Sequence, residues 1–103
     1  MAVKADPNSA TRSKTELKRP RMYRVVFYND DFTPMDFVVD ILQHIFGKTP
    51  SEAYSLMMSV HRGDYAVVGV YTRDIAYTKV RVTTEAAKKS GYPLKVEAMP
   101  DTD

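Results

Sequence analysis

Apolar residues along this chain recur with two different spacings, and the order in which those spacings alternate predicts the fold. Residues 22–28 (MYRVVFY) have the β-branched and aromatic make-up of a strand. Asn29, Asp30 and Asp31 stop it, because Asx side chains bond nearby backbone and favour turns. Val38, Ile41, Leu42 and Ile45 then fall at i, i+3, i+4 and i+7, which is one stripe of a helix. Its start is marked by Thr33 as the expected N-cap, Pro34 at the first helical position and Asp36 in the first turn, where a carboxylate suits the helix dipole. Gly47 supplies the stop. The device repeats at Thr49, Pro50 and Glu52, a capping box for a second helix with the stripe Ala53, Leu56, Met57 and Val60, ended by Gly63.

Residues 65–71 form a second, Val-rich strand, in which Gly69 points to a bulge or a close backbone approach. Thr72 is the expected cap of a third helix carrying Ala76, Val80, Thr83 and Ala87, with Gly91 and Pro93 as terminators. Leu94, Val96 and Ala98 then alternate with Lys95 and Glu97 in a last strand. The order β, α, α, β, α, β predicts a two-layer α+β domain, a three-stranded antiparallel sheet with three helices on one face, because that arrangement buries every stripe at once.

Composition sets the limits of that domain. The chain has 103 residues, 44% of them apolar, enough for one core. Residues 1–19 hold few large apolar side chains and are expected to form a disordered extension; residues 20–99 are the expected core and 100–103 a flexible tail. The absence of cysteine excludes disulfides, thiolate nucleophiles and Cys-ligated metals. No apolar run approaches the roughly 18 residues of a membrane span, and the N-terminus lacks a secretory apolar region, so a soluble cytoplasmic protein is expected, with no membrane partner. The formal charge of +2 conceals an asymmetry: residues 1–24 carry seven basic and two acidic side chains, and residues 25–103 carry eight basic and eleven acidic ones. A nucleic-acid binder needs its positive charge on a folded face. Here the folded part is the acidic part, so no nucleic-acid partner is expected.

Three polar features could carry chemistry: the cluster Asn29, Asp30 and Asp31, Met35 just inside the first helix, and His61 in the last turn of the second. Singly, the cluster reads as an Asx turn and His61 as a favourable charge at a helix C-terminus. Yet His61 follows Met57 by four residues and adjoins Val60, at the edge of an apolar stripe, where it can rim a hollow. Catalysis is not expected. Ser and Thr are largely committed to caps, no phosphate loop, HExxH or G-x-S-x-G motif occurs, and nothing completes an acid–base mechanism with a metal or cofactor.

The run Asn29-Asp30-Asp31-Phe32-Thr33-Pro34-Met35 with Phe37-Val38-Val39 resembles the ClpS family of Clp protease adaptors. The family's pattern continues in residues 56–61 (LMMSVH), 68–71 (VGVY), Thr78-Lys79 and Pro93-Leu94. The resemblance implies an adaptor that binds the free N-terminus of substrates beginning with Leu, Phe, Tyr or Trp and delivers them to a Clp AAA+ unfoldase, ClpA or ClpC, acting as a monomer without cofactor. It implies that Asn29, Asp31 and His61 hold the α-ammonium group, and that Asp30, Thr33, Met35, Val38, Met57, Val60 and Leu94 line the hole for the first side chain. Met35 would exclude β-branched residues, and Asp74 and Lys79 would dock on the unfoldase's N-terminal domain. The chemistry agrees: an α-ammonium offers three donors, matched by an amide oxygen, a carboxylate and a neutral imidazole nitrogen.

This chain departs from the family's usual pattern at Tyr77, where an acidic residue is common, and at Gly63, which comes one residue early after His61. Two rival readings explain less: a ribosomal-stalk-like or nucleic-acid-associated module using the basic arm, and a metal-dependent enzyme built on Asp30, Asp31 and His61.

Overall fold

A computed structural model describes residues 20–101. The elements are β1 (Met22–Tyr28), α1 (Met35–His44), α2 (Pro50–Gly63), β2 (Tyr65–Thr72), α3 (Arg73–Ser90) and β3 (Lys95–Pro100). The extension expected at residues 1–19 lies outside the described residues. β1 is the most apolar strand and takes the centre of the sheet, pairing antiparallel with β2 on one side and β3 on the other, in the order β2-β1-β3. Alternation along β1 sends Val25 and Phe27 inward, where both are fully buried. The stripes of the helices cover them, with Val38, Ile41 and Leu42 from α1, Ala53, Met57 and Val60 from α2, and Ala76 and Ala87 from α3. Phe46, just beyond α1, meets Phe27 edge to face with ring centroids 5.4 Å apart. The predicted α+β architecture is the one observed.

Gly69 satisfies both alternatives read from the sequence. The register between β1 and β2 slips between Val25 and Val26, whose partners are Gly69 and Val67, so Val68 is the extra residue of a bulge and turns into the core. A Cβ at Gly69 would also collide with the ring of Tyr71, which folds back over this glycine. β3 runs to Pro100, one residue past the expected core boundary, and the Asp101 amide then donates to the Met22 carbonyl at 2.9 Å.

The caps differ in their chemistry. At α2 the expected box is complete: the Glu52 amide donates to Thr49 Oγ1 at 3.1 Å and the Thr49 amide to Glu52 Oε1 at 3.0 Å. That backbone bond from Thr49 holds the Glu52 carboxyl below its ordinary range. The third helix does have Thr72 as its N-cap, without a side-chain bond. It ends in a Schellman arrangement in which Gly91, at φ 81°, donates to Lys88 and Tyr92 to Ala87. After α2 the left-handed residue is Asp64, at φ 72°, while Gly63 is still helical. The early glycine therefore leaves the strained position to an aspartate, which tolerates it better than most L-residues.

The start of α1 corrects the sequence reading. Pro34, not Thr33, is the N-cap, and no side chain among the described residues caps the helix. The Thr33 hydroxyl instead donates to Asp30 Oδ2 at 2.8 Å, while Asp30 Oδ1 accepts from the amides of Phe32 at 2.8 Å and Thr33 at 2.7 Å. A local competitor, an aspartate three residues upstream, has taken the hydroxyl from the helix. Partial burial pushes the Asp30 carboxyl up, but the Thr33 amide, the Thr33 hydroxyl and the Phe32 amide together outweigh it and hold the group below the ordinary aspartate range.

Because the folded-state value lies below the unfolded one, the ionised Asp30 stabilises the fold above about pH 4, and that contribution disappears as acid titrates the folded carboxylate. Asp30→Ala is expected to cost about 1–2 kcal/mol at pH 7 and distinctly less at about pH 3, as measured by urea unfolding of both proteins at each pH. An equal cost at both would contradict the charge-assisted turn. Thr83, on the inner face of α3, is fully buried and its hydroxyl has no hydrogen-bond partner among the described residues. Thr83→Val keeps the shape and removes the unpaired group, so stability is expected to rise by about 1 kcal/mol, visible as a higher urea midpoint.

Candidate functional site

Four segments converge at one corner of the molecule: the end of β1, the first turn of α1, the last turns of α2, and the residue that leads into β3. They enclose a hollow of about 230 Å³. Val38, Met57, Val60 and Leu94, all buried, form its apolar floor. Asn29, Asp30, Asp31, Thr33, Met35 and His61 complete the lining. Every residue singled out for the pocket in the sequence is therefore brought to one place. Tyr28 also borders it and was missed, although its position next to Asn29 at the strand end was the available signal. The Tyr28 hydroxyl donates to Glu97 Oε1 on β3 at 2.7 Å, which raises its pKa above the ordinary tyrosine value.

The mouth is held by backbone bonds rather than by long side chains. The Asn29 amide donates to the Asp64 carbonyl at 2.7 Å, tying the end of β1 to the turn after α2. Asn29 Nδ2 makes a longer bond, 3.5 Å, to the carbonyl of His61. With its amide nitrogen directed at His61, the Asn29 side chain leaves its oxygen as an acceptor. His61 is itself exposed at the rim.

The two adjacent aspartates have separate roles. Asp30 has spent both carboxylate oxygens inside the turn. Asp31 is exposed at the mouth and makes no side-chain hydrogen bond among the described residues. The mouth thus presents an uncommitted carboxylate, an amide oxygen and an imidazole above an apolar floor, with Met35, 42% exposed, as part of the wall. Such a set suits a small cation attached to an apolar group. It suits a metal poorly, since Asp30 is occupied, and among the described residues no three His, Cys, Asp or Glu side chains are grouped to hold one.

Asp74 and Lys79 lie elsewhere, on α3. Asp74 is exposed in the first turn. Lys79 is half-buried: its Nζ donates to the Ile45 carbonyl at 2.7 Å and lies 5.4 Å from the Phe46 ring centre and 5.3 Å from that of Tyr71. Its ammonium caps the C-terminal end of α1, where a cation is favoured by the helix dipole. No helix among the described residues is long and apolar enough to cross a membrane.

Comparison with known proteins gives the same family from three directions. Residues 18–97 match the family model described as ATP-dependent Clp protease adaptor protein ClpS. An ATP-dependent Clp protease adapter protein ClpS from Deinococcus radiodurans is 46% identical over 99 residues, covering 96% of this chain and 88% of that protein. The ClpS of Lawsonia intracellularis is 50% identical over 80 residues, covering 78% of this chain and 73% of that one. Agrobacterium tumefaciens ClpS2, whose structure was determined bound to L-phenylalaninamide, superposes with a TM-score of 0.78 at 40% identity, over 81% of this chain and 100% of the other. These relatives are adaptors and not enzymes, and the predicted fold and lack of catalysis agree with them. The chain belongs to the ClpS family of ATP-dependent Clp protease adaptors.

Proposed function

We propose that this chain binds the free N-terminus of proteins beginning with a bulky hydrophobic residue, Leu, Phe, Tyr or Trp, and delivers them in the cytoplasm to a Clp AAA+ unfoldase, ClpA or ClpC. The observation that carries the reading is the uncommitted Asp31 carboxylate at the mouth of an apolar hollow, beside a neighbouring aspartate whose oxygens are all used. An α-ammonium, with a pKa of about 7.7–8.0, is mostly charged at neutral pH and brings three donors. Asp31 supplies the charge-assisted acceptor, and Asn29 and His61 supply the neutral ones.

The hollow's volume, about 230 Å³, is below the roughly 300–1,000 Å³ of drug-sized pockets and matches one amino-acid side chain. The ligand of the Agrobacterium relative has the same two parts, a free amine and an aromatic side chain, with an amide where a peptide would continue. Met35 acts as the size filter, admitting an unbranched Cβ and rejecting Val and Ile. Docking on the unfoldase falls to the α3 end that carries Asp74. Lys79 contributes there by holding α1 against α3, since its charge is already occupied by the Ile45 carbonyl.

Fluorescence anisotropy with short labelled peptides tests the pocket. A free Leu or Phe N-terminus is expected to bind at least about 30-fold tighter than its acetylated form, the lower end of the range for leaving a charge-binding set, once the peptide covers it, unpaired. Asp31→Asn is expected to weaken the free peptide by about tenfold. Equal affinity for free and acetylated peptides would end the reading. Docking is tested separately: Asp74→Arg should abolish binding to an isolated ClpA or ClpC N-terminal domain in surface plasmon resonance while leaving peptide affinity within about twofold, because α3 does not contribute to the pocket. Retained docking by that variant would move the unfoldase contact elsewhere.

A further inference from the structure

The pocket removes packing from one end of the sheet. On the face toward the helices, the end of β1 and the residue leading into β3 border a hollow rather than solid core, and a hollow supplies no atoms to pack against. Support for those strand ends has to come from the opposite face. Alternation along β1 turns Phe27 into the core and Tyr28 away from it. Tyr28 is the last paired residue of β1, opposite Tyr65, the first residue of β2, and Lys95, the first of β3. Each of the three adjoins in sequence a residue that builds the pocket's corner. These are Asn29, Asp64, whose carbonyl accepts from the Asn29 amide at 2.7 Å, and Leu94 of the floor.

The Tyr28 side chain touches all three strands. Its hydroxyl donates diagonally to Glu97 Oε1 on β3 at 2.7 Å, its ring centre lies 6.2 Å from that of Tyr65 on β2, and Lys95 Nζ stands 4.9 Å from the same ring centre. Tyr28 borders both the pocket and a hollow of about 460 Å³ on the outer face, which it shares with Tyr65 and Val67. Tyr65 is 60% exposed, so this cluster is held by its own contacts and not by the core.

We infer that Tyr28, with Glu97 as its anchor, is a positioning residue for peptide recognition: from the outer face of the sheet it fixes Asn29 at the rim against Leu94 in the floor. The inference rests on the N-terminus reading proposed above. An α-ammonium and the first side chain leave the same Cα, so rim and floor must be met together. A rim displaced from the floor satisfies one at the expense of the other.

The test uses the full chain, anisotropy with labelled free-amine Leu and Phe peptides and an acetyl-Leu control, and a urea unfolding curve for every variant, with binding read well below each transition. Tyr28→Phe keeps the ring on Tyr65 and removes only the hydroxyl; Glu97→Val removes the acceptor. Each is expected to weaken both free peptides about threefold, and the double variant to be no weaker than either single one, because both remove the same bond. Glu97→Gln, whose amide oxygen still accepts, is expected to keep the original affinity. A merely structural role would lower the urea midpoint and leave the affinity of the folded protein alone. Unchanged peptide affinity in Tyr28→Phe and Glu97→Val, or an equal loss in Glu97→Gln, would therefore overturn the positioning role. If the unsubstituted chain still prefers free over acetylated peptides in that case, the N-terminus reading stands; equal binding of the two by the unsubstituted chain would remove both.

Discussion

The carboxylate of Asp30 holds the structure's functional corner together. Three hydrogen bonds from Phe32 and Thr33 converge on its two oxygens, closing the chain into a turn between the central strand and the first helix. That turn decides where Asp31 faces, where α1 begins and therefore where Met35 stands. A second constraint joins it from the other side, the bond from the Asn29 amide to the Asp64 carbonyl, which sets the end of α2 and His61 against the same corner. An exposed loop ordinarily moves easily because its backbone bonds go to water. This one is anchored at both ends by bonds within the protein, so its backbone is held before any ligand arrives, which lowers the ordering cost of binding.

The floor of the pocket is not separate from the core. Val38, Met57, Val60 and Leu94 belong to the same buried cluster as Phe27 and Leu42. In a domain this small there is too little apolar surface to build a binding site and a core independently. On the proposed reading, the recognition of a hydrophobic side chain reuses the surface of the core at a corner where four segments leave a gap. Burying one more apolar side chain there would extend the core by the mechanism that folds the protein, and in that reading the polar rim selects the chain end.

The third helix shows how one residue's apparent role depends on its surroundings. Lys79 carries a charge that looks available to a partner, yet its ammonium sits on the Ile45 carbonyl beneath two aromatic rings. It closes the C-terminus of α1 from a neighbouring helix, while the basic residue in that helix's own last turn, His44, bonds the Asp40 carbonyl at 2.9 Å. Such an internal use of charge costs the surface little, because Asp74 and the exposed Ile75 and Tyr77 of the same helix stay open to a partner.

By itself the sequence determined the elements, their order and most of their ends. Proline, glycine and capping residues act locally, and the apolar spacings admit one economical way of burying every stripe. The family pattern also made the pocket legible, and all ten of its nominated residues line the same hollow. Tertiary structure alone decided the rest. Thr33 followed by Pro34 reads as a helix cap from local statistics, but its hydroxyl could accept from a helix amide or donate to Asp30, and the turn geometry chose Asp30. Asp30 and Asp31 are the same residue type one position apart, and nothing local separates the one that builds the turn from the one left free at the mouth. Lys79 and Ile45 meet across 34 residues of chain. The folded chain settles which partners come within hydrogen-bond reach, whether Thr33 and Asp30 inside one turn or Lys79 and Ile45 from distant parts of the sequence.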